Sequence, residues 1–157
     1  MPLRLNARLS LERFEVFRPK GTDLLDLAVE KLKSAVERNP ADFQNYAVLT
    51  KAYNLLAQNS ANDRVYWLGK AFENAEDAIE HYPGSGRLHI EMAEITEKLN
   101  KPAEAIKHYE KAVEIEDSYQ KQFQIMYPGR EMFSRLGNEK YNYAKKRIKE
   151  LKSQTEK

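Results

Sequence analysis

The chain is expected to fold as an all-α stack of about three to four helical hairpins closed by a C-terminal capping helix. Three observations predict this. Pairs of alanines two helical turns apart recur along the sequence as Ala28/Ala35, Ala71/Ala78 and Ala105/Ala112, and each is followed by a larger apolar residue: Val29 and Val36, Phe72 and Ile79, Ile106 and Val113. Small residues on one face let neighbouring helices approach, and the larger ones fill the gaps. The second and third pairs lie 34 residues apart, and the first and second 43, which is the same period with a nine-residue insertion; a fixed period is the mark of a repeat array. Finally, of 157 residues 41% are hydrophobic and 32% charged, with only six Gly and six Pro, the profile of an ordered helical protein.

Taken in order, residues 3–39 form a degenerate first pair. Leu3, Leu5, Ala7, Leu9 and Leu11 alternate with polar residues as a strand would, whereas Ala7, Leu11 and Phe14 share a helix face. A lone strand would have no partner in this chain, so the helix is the reading taken. Residues 42–83 form an expanded repeat and 86–117 a regular one. Pro40 and Pro83 stop the helices before them. Thr22, Asp42, Asn62 and Ser85 are placed to cap helix starts, and Asp117 to cap the helix after the third repeat. Pro83-Gly84-Ser85-Gly86 and Pro128-Gly129 mark turns. The insertion around Gln58 to Asn62 reads as a longer loop or as extended helix ends. In residues 118–153, a divergent last pair and cap, a short helix through Met126 and the segment Arg130 to Leu136 precede a helix from Asn138 with Tyr141, Ala144, Ile148 and Leu151 on one face. The whole reads as a single domain over 1–157.

The helix Ala103 to Ile115, with Tyr46-x2-Leu49-Thr50-x2-Tyr53 and His89-x2-Met92-Ala93-x2-Thr96 in the preceding helices, resembles the tetratricopeptide repeat (TPR) family. The resemblance covers roughly Asp23 to Asp117. It implies a right-handed superhelix whose first helices line a concave groove holding a protein or peptide. Carried over, the groove residues are Gln44, Lys51, Asn54 and Leu55 in one repeat and Arg87, Ile90, Glu91, Glu94 and Lys98 in the next, a mixed-charge lining that turns acidic towards Glu94 and Glu97. A carboxylate clamp of the chaperone-binding kind is not expected: Lys51 and Arg87 suit it, but Ala47 and Glu91 contradict it. More narrowly, Asn39 to Tyr46, Pro83 to His89, Ile115 to Tyr119, Gln122 to Pro128, Phe133 to Gly137 and Lys140 to Lys145 resemble the soluble TPR tails of bacterial O-antigen ligase/polymerase-like membrane proteins. That resemblance implies a piece of a longer protein, lying beside a membrane protein on the periplasmic side; without it the default is a soluble cytoplasmic chain.

Several chemistries have no foothold. With no cysteine, there is no disulfide, thiolate nucleophile or zinc-cysteine site. His81, His89 and His108 have no metal-pair spacing on one helix. Glu91, Glu94 and Glu97 run along a polar helix face and are not read as an acid/base pair. Gly84 and Gly86 lack the strand and the lysine of a phosphate loop. No cofactor, metal or catalytic residue is expected, and the chain is read as a non-enzyme. From Met1 to Phe17 there is no apolar core of a signal peptide, and no apolar run approaches the ~18 residues that cross a bilayer.

Charge is uneven although the net is only +2. Ala71 to Asp117 holds 12 acidic and 5 basic residues, and Pro128 to Lys157 holds 9 basic and 4 acidic. Lys145, Lys146, Lys149 and Lys152 give the last helix a basic surface that would suit an anionic lipid or nucleic acid. The reading preferred is a solvated cap, since terminal repeats need a polar outer face, and nucleic acid is not expected as a partner. An incompletely capped stack leaves a homo-oligomer open. Tyr46, Tyr53 and Tyr109 fall on core positions, and Trp67 is either wedged between helices or part of a contact patch.

Overall fold

The computed structural model describes residues 3–17 and 21–155, and the regular structure within them is entirely helical. Met1, Pro2, residues 18–20 and the last two residues, including the start of the chain discussed above, lie outside the described residues. There are two compact units, residues 1–83 and 84–157. The all-α hairpin class read from the sequence is the one observed. All six alanines of the repeat rhythm are buried.

The first unit holds α1 (Leu3–Phe17), α2 (Asp23–Arg38), α3 (Phe43–Asn59) and α4 (Arg64–His81). Each packs on the one before it, and α1 also touches α3. In α1 the helical periodicity wins over the alternation: Ala7, Leu11 and Phe14 are buried, while Leu5 and Leu9 face outward. Asp42 caps α3 by accepting from the Gln44 amide at 3.0 Å, and its other carboxylate oxygen pairs with Arg4 of α1. The turn before α3 is fixed by buried Asn45, whose Nδ2 donates to the carbonyls of Ala35 and Asn39 at the end of α2. Thr22 starts α2, but its hydroxyl donates to Asp26 and does not cap the backbone. The cap position of α4 is Asp63, one residue beyond the expected Asn62. The insertion lengthens α3 and α4 to 17 and 18 residues instead of forming a loop.

In the second unit are α5 (Gly86–Lys98), α6 (Pro102–Met126) and α7 (Asn138–Thr155). Ser85 caps α5 through the Leu88 amide. The helix ends with Asn100 at φ 58, and the Lys101 amide returns to the Thr96 carbonyl at 2.9 Å, closing the turn; Pro102 then opens α6. The core joins Ile90, Ala93, Tyr109, Leu136, Ala144 and Leu151 to Ala105 and Ala112 of α6, with Tyr141 and Ile148 packed against it. All four residues assigned to the apolar face of the last helix thus lie in or against the core.

One boundary differs from expectation. Asp117 caps nothing: α6 runs on to Met126, and Asp117 sits mid-helix, where its Oδ1 accepts from the Tyr141 hydroxyl at 2.7 Å. Nothing between Glu116 and Gln122 breaks a helix, so propagation continues to the turn at Pro128-Gly129, where Gly129 takes φ 77. Among the described residues no helix is long and apolar enough to cross a membrane.

Candidate functional site

On α5, Arg87, Glu91, Glu94 and Lys98 follow one another at steps of four, three and four residues, so they form one ridge. Arg87 Nε donates to Glu91 Oε1 at 3.2 Å. Glu94 lies half-buried in the middle. Burial pushes its carboxyl above the ordinary range, Glu91 and Glu97 push the same way, and Lys98 with Lys140 of α7 pull it back.

Glu97, one turn further on, does not extend the acidic lining as expected. Arg147 of α7 grips both its oxygens, with Nε to Oε1 at 3.2 Å, and the Tyr109 hydroxyl donates to Oε1 at 2.7 Å. Burial alone would raise the Glu97 pKa, but these hydrogen bonds and the guanidinium charge outweigh it and hold the carboxyl below its usual value. The phenol of Tyr109 is pushed up by its burial and by donating to Glu97. This network ties α5, α6 and α7 together and leaves Glu97 nothing to offer a ligand.

In the first unit, Gln44 and Lys51 are exposed on α3 and Asn54 is half-buried on the same helix. Lys51 Nζ reaches Glu15 of α1 at 2.8 Å, an exposed pair. The α3 set and the α5 set belong to different units, and each is a local ridge in its own right.

On α7 the basic residues are largely engaged within the molecule. Lys146 pairs with Glu150 at 3.7 Å, Lys152 with Glu110 at 2.6 Å, and the Lys145 ammonium sits 5.0 Å from the centre of the Tyr141 ring. Lys149 lies on the wall of a groove between α6 and α7.

His89 and His108 come together across α5 and α6, with their Nδ1 atoms 3.1 Å apart and rings stacked at 5.4 Å. Burial lowers the His108 pKa and the neighbouring His89 lowers it further, against Glu104. Among the described residues no group of three or more His, Cys, Asp or Glu is set up for a metal ion. Tyr46, Tyr53 and Tyr109 are buried as expected. Trp67 is wedged, stacking on Tyr53 at 5.8 Å and meeting the edge of Tyr66 at 4.8 Å.

Sequence reasoning missed Glu116. This carboxylate is only 2% exposed; Oε2 accepts from the Leu136 amide at 3.0 Å and Oε1 from Gln120 at 3.2 Å, anchoring the segment that returns from α6 to α7. A signal existed: Ala105, Tyr109, Ala112 and Glu116 share the buried stripe of α6, and an acid on such a stripe needs a buried partner. Beyond Glu116 the helix carries a ridge of Tyr119, Phe123 and Tyr127 in successive ring contact. Arg135 lies over Tyr119 at 4.1 Å and Arg130 over Tyr127 at 6.0 Å.

No protein-family model and no curated protein matches the chain. Solved structures do. The type III secretion translocator chaperone SycD of Yersinia enterocolitica is similar at TM-score 0.66 and 12% identity, over 99% of this chain and 95% of that one. TTC0263, a thermophilic TPR protein of Thermus thermophilus, matches at TM-score 0.58 and 20% identity, over 92% and 71%. MamA matches at TM-score 0.56 and 17% identity, over 98% and 78%. At these identities the likeness concerns the fold, and the fold is TPR-like.

Proposed function

We propose that the chain is a non-catalytic scaffold that holds a protein or peptide partner on its mixed-charge ridges. The observation that carries this reading is the α5 ridge, where Arg87, Glu91, Glu94 and Lys98 share one helix face, Arg87 pairs with Glu91 at 3.2 Å and Glu94 lies half-buried. Glu97, on the next turn, is instead taken up within the fold by Arg147 and Tyr109. The fold supports the reading, since stacked hairpins present side chains from several helices to one ligand, and a chaperone is among the similar structures. Lys51 and Arg87 make only exposed ion pairs, which contribute little to stability. Combined Lys51→Glu and Arg87→Glu substitution is therefore expected to weaken capture of partners from the source cell while moving the melting temperature by no more than a degree or two. Capture that survives both substitutions and Glu94→Gln would end this assignment.

A second reading rests on the narrower sequence resemblance. The strings that resemble polysaccharide-ligase tails include Glu116, Tyr119, Arg135 and Leu136, which hold one another in place in the second unit. On that reading the chain is the accessory tail of a membrane-bound O-antigen/polysaccharide ligase or polymerase and works outside the cytoplasmic membrane. Sequencing the gene upstream of Met1 tests it: a series of apolar segments of about 20 residues is expected, and an adjacent in-frame stop codon would dismiss it.

A further inference from the structure

We infer that the outer face of α1 docks into the α6/α7 groove of a second copy of this chain, giving a head-to-tail contact. This goes beyond the partner ridges on α3 and α5 and does not depend on them. α1 is apolar on two faces. Its inner face is Ala7, Leu11 and Phe14; on the opposite side Leu5, Leu9 and Val16 form a second stripe at helical spacing, exposed at 42%, 41% and 74%. A helix with one buried and one exposed apolar stripe has room for another neighbour, and no helix precedes α1 among the described residues.

The matching recess lies in the second unit. A groove of about 470 Å³ runs between α6 and α7, with Val113 and Ile148 as its apolar floor. Its two walls differ in charge: Glu110 and Asp117 stand on the α6 side, Lys145 and Lys149 on the α7 side. In a stack of hairpins, such a groove is where the next helix would pack, and α7 is the last helix among the described residues.

The charges on α1 choose the occupant. Arg13 flanks the outer stripe on one side and Glu12 on the other, both exposed, with Arg8 further round the helix on the Glu12 side. Laid along the groove in one of its two directions, with the stripe on Val113 and Ile148, α1 puts Arg13 beside the acidic wall and Glu12 beside the lysine wall. A second copy thus supplies an apolar match and opposite charge together. Because the two surfaces are different, the contact is heterologous and leaves one face and one groove open at each end.

The test uses the full chain and sedimentation velocity over a concentration series. The wild-type protein is expected to associate. Leu9→Glu with Val16→Glu, on the exposed face, and Lys145→Glu with Lys149→Glu, on the exposed groove wall, are each expected to raise the self-association Kd by about tenfold or more. Circular dichroism checks that both variants fold. Mixing them is then expected to restore a dimer that grows no further, because each retains the surface that the other lacks. A wild-type chain that stays monomeric would mean that another chain covers these surfaces, and would overturn the proposal. So would a mixture that remains monomeric, which points to an isologous contact, or variants that associate as wild type does.

Discussion

Arg147 and Glu97 show how much of the second unit hangs on one pair. Both are largely withdrawn from solvent, and Tyr109, fully buried, completes the site. Truncating the arginine leaves a carboxylate and a phenol facing one another without a cation. Arg147→Ala is expected to lower the unfolding free energy by about 2 kcal/mol, read by urea denaturation at neutral pH. Since the folded state holds the Glu97 carboxyl below its ordinary pKa, the pair's contribution is complete above that ordinary value and fades as pH falls through the depressed one. The His89/His108 pair acts near neutrality with the opposite cause. The lowered folded pKa of His108 means that the unfolded chain takes up a proton there more readily; stability is complete above about 6.5, the ordinary histidine value, and declines as pH drops below it. His108→Asn should flatten the fall between pH 6.5 and 5 in the same denaturation series; an unchanged pH slope would remove the pair from this role. Neither pair was legible in the sequence. Positions 97 and 147 are 50 residues apart, and no periodicity links them. The buried tyrosines were legible because each sits on a repeat position whose neighbours are apolar.

At the level of elements, the alanine rhythm located the second helices and the prolines located their ends. One boundary escaped for a physical reason, and one open alternative was decided by packing. Asp117 has the chemistry of a cap but lies in a stretch with no helix breaker, so the cost of stopping and renucleating decides in favour of continuing α6. The nine-residue insertion lengthened two helices because Leu56, Ala57 and Leu68 found burial there. Glycines offer a clean contrast. Gly69 lies inside α4 with open space where a Cβ would be, so Gly69→Ala should stabilise the protein by roughly 0.5–1 kcal/mol. A Cβ on Gly86 would stand 3.2 Å from the Ala112 carbonyl oxygen of α6, so Gly86→Ala should lower the melting temperature in the same scan. A gain at Gly86 equal to that at Gly69 would mean that α5 and α6 have slack between them.

For the molecule as a whole, the hairpin class was readable because repeats bury one continuous core from a regular pattern. The partner was not, because a fold does not fix which ligand its surface meets. Arg87, Glu91, Glu94 and Lys98 share a face by spacing alone, but only their surroundings distinguish Glu94, whose carboxyl pKa is raised, from Glu97, taken by Arg147. The turn at Pro83-Gly84 coincides with the border between the two compact units, each with buried side chains of its own. Residues 1–83 and 84–157 prepared separately should each retain helical circular dichroism and a cooperative melt. A fragment without a melting transition would show that its core is completed from outside.

The overrun of α6 has a mechanical meaning. Its buried positions end at Glu116, and none of residues 117–126 is buried. Ten residues, about 15 Å of helix, therefore project as a cantilever whose root is clamped where Glu116 holds Leu136 and Asp117 holds Tyr141. A rotation of about 10° at that root displaces the far end by roughly 2–3 Å over such a length. Whatever tightens or loosens the clamp of Glu116 and Asp117 thus steers the aromatic ridge of Tyr119, Phe123 and Tyr127.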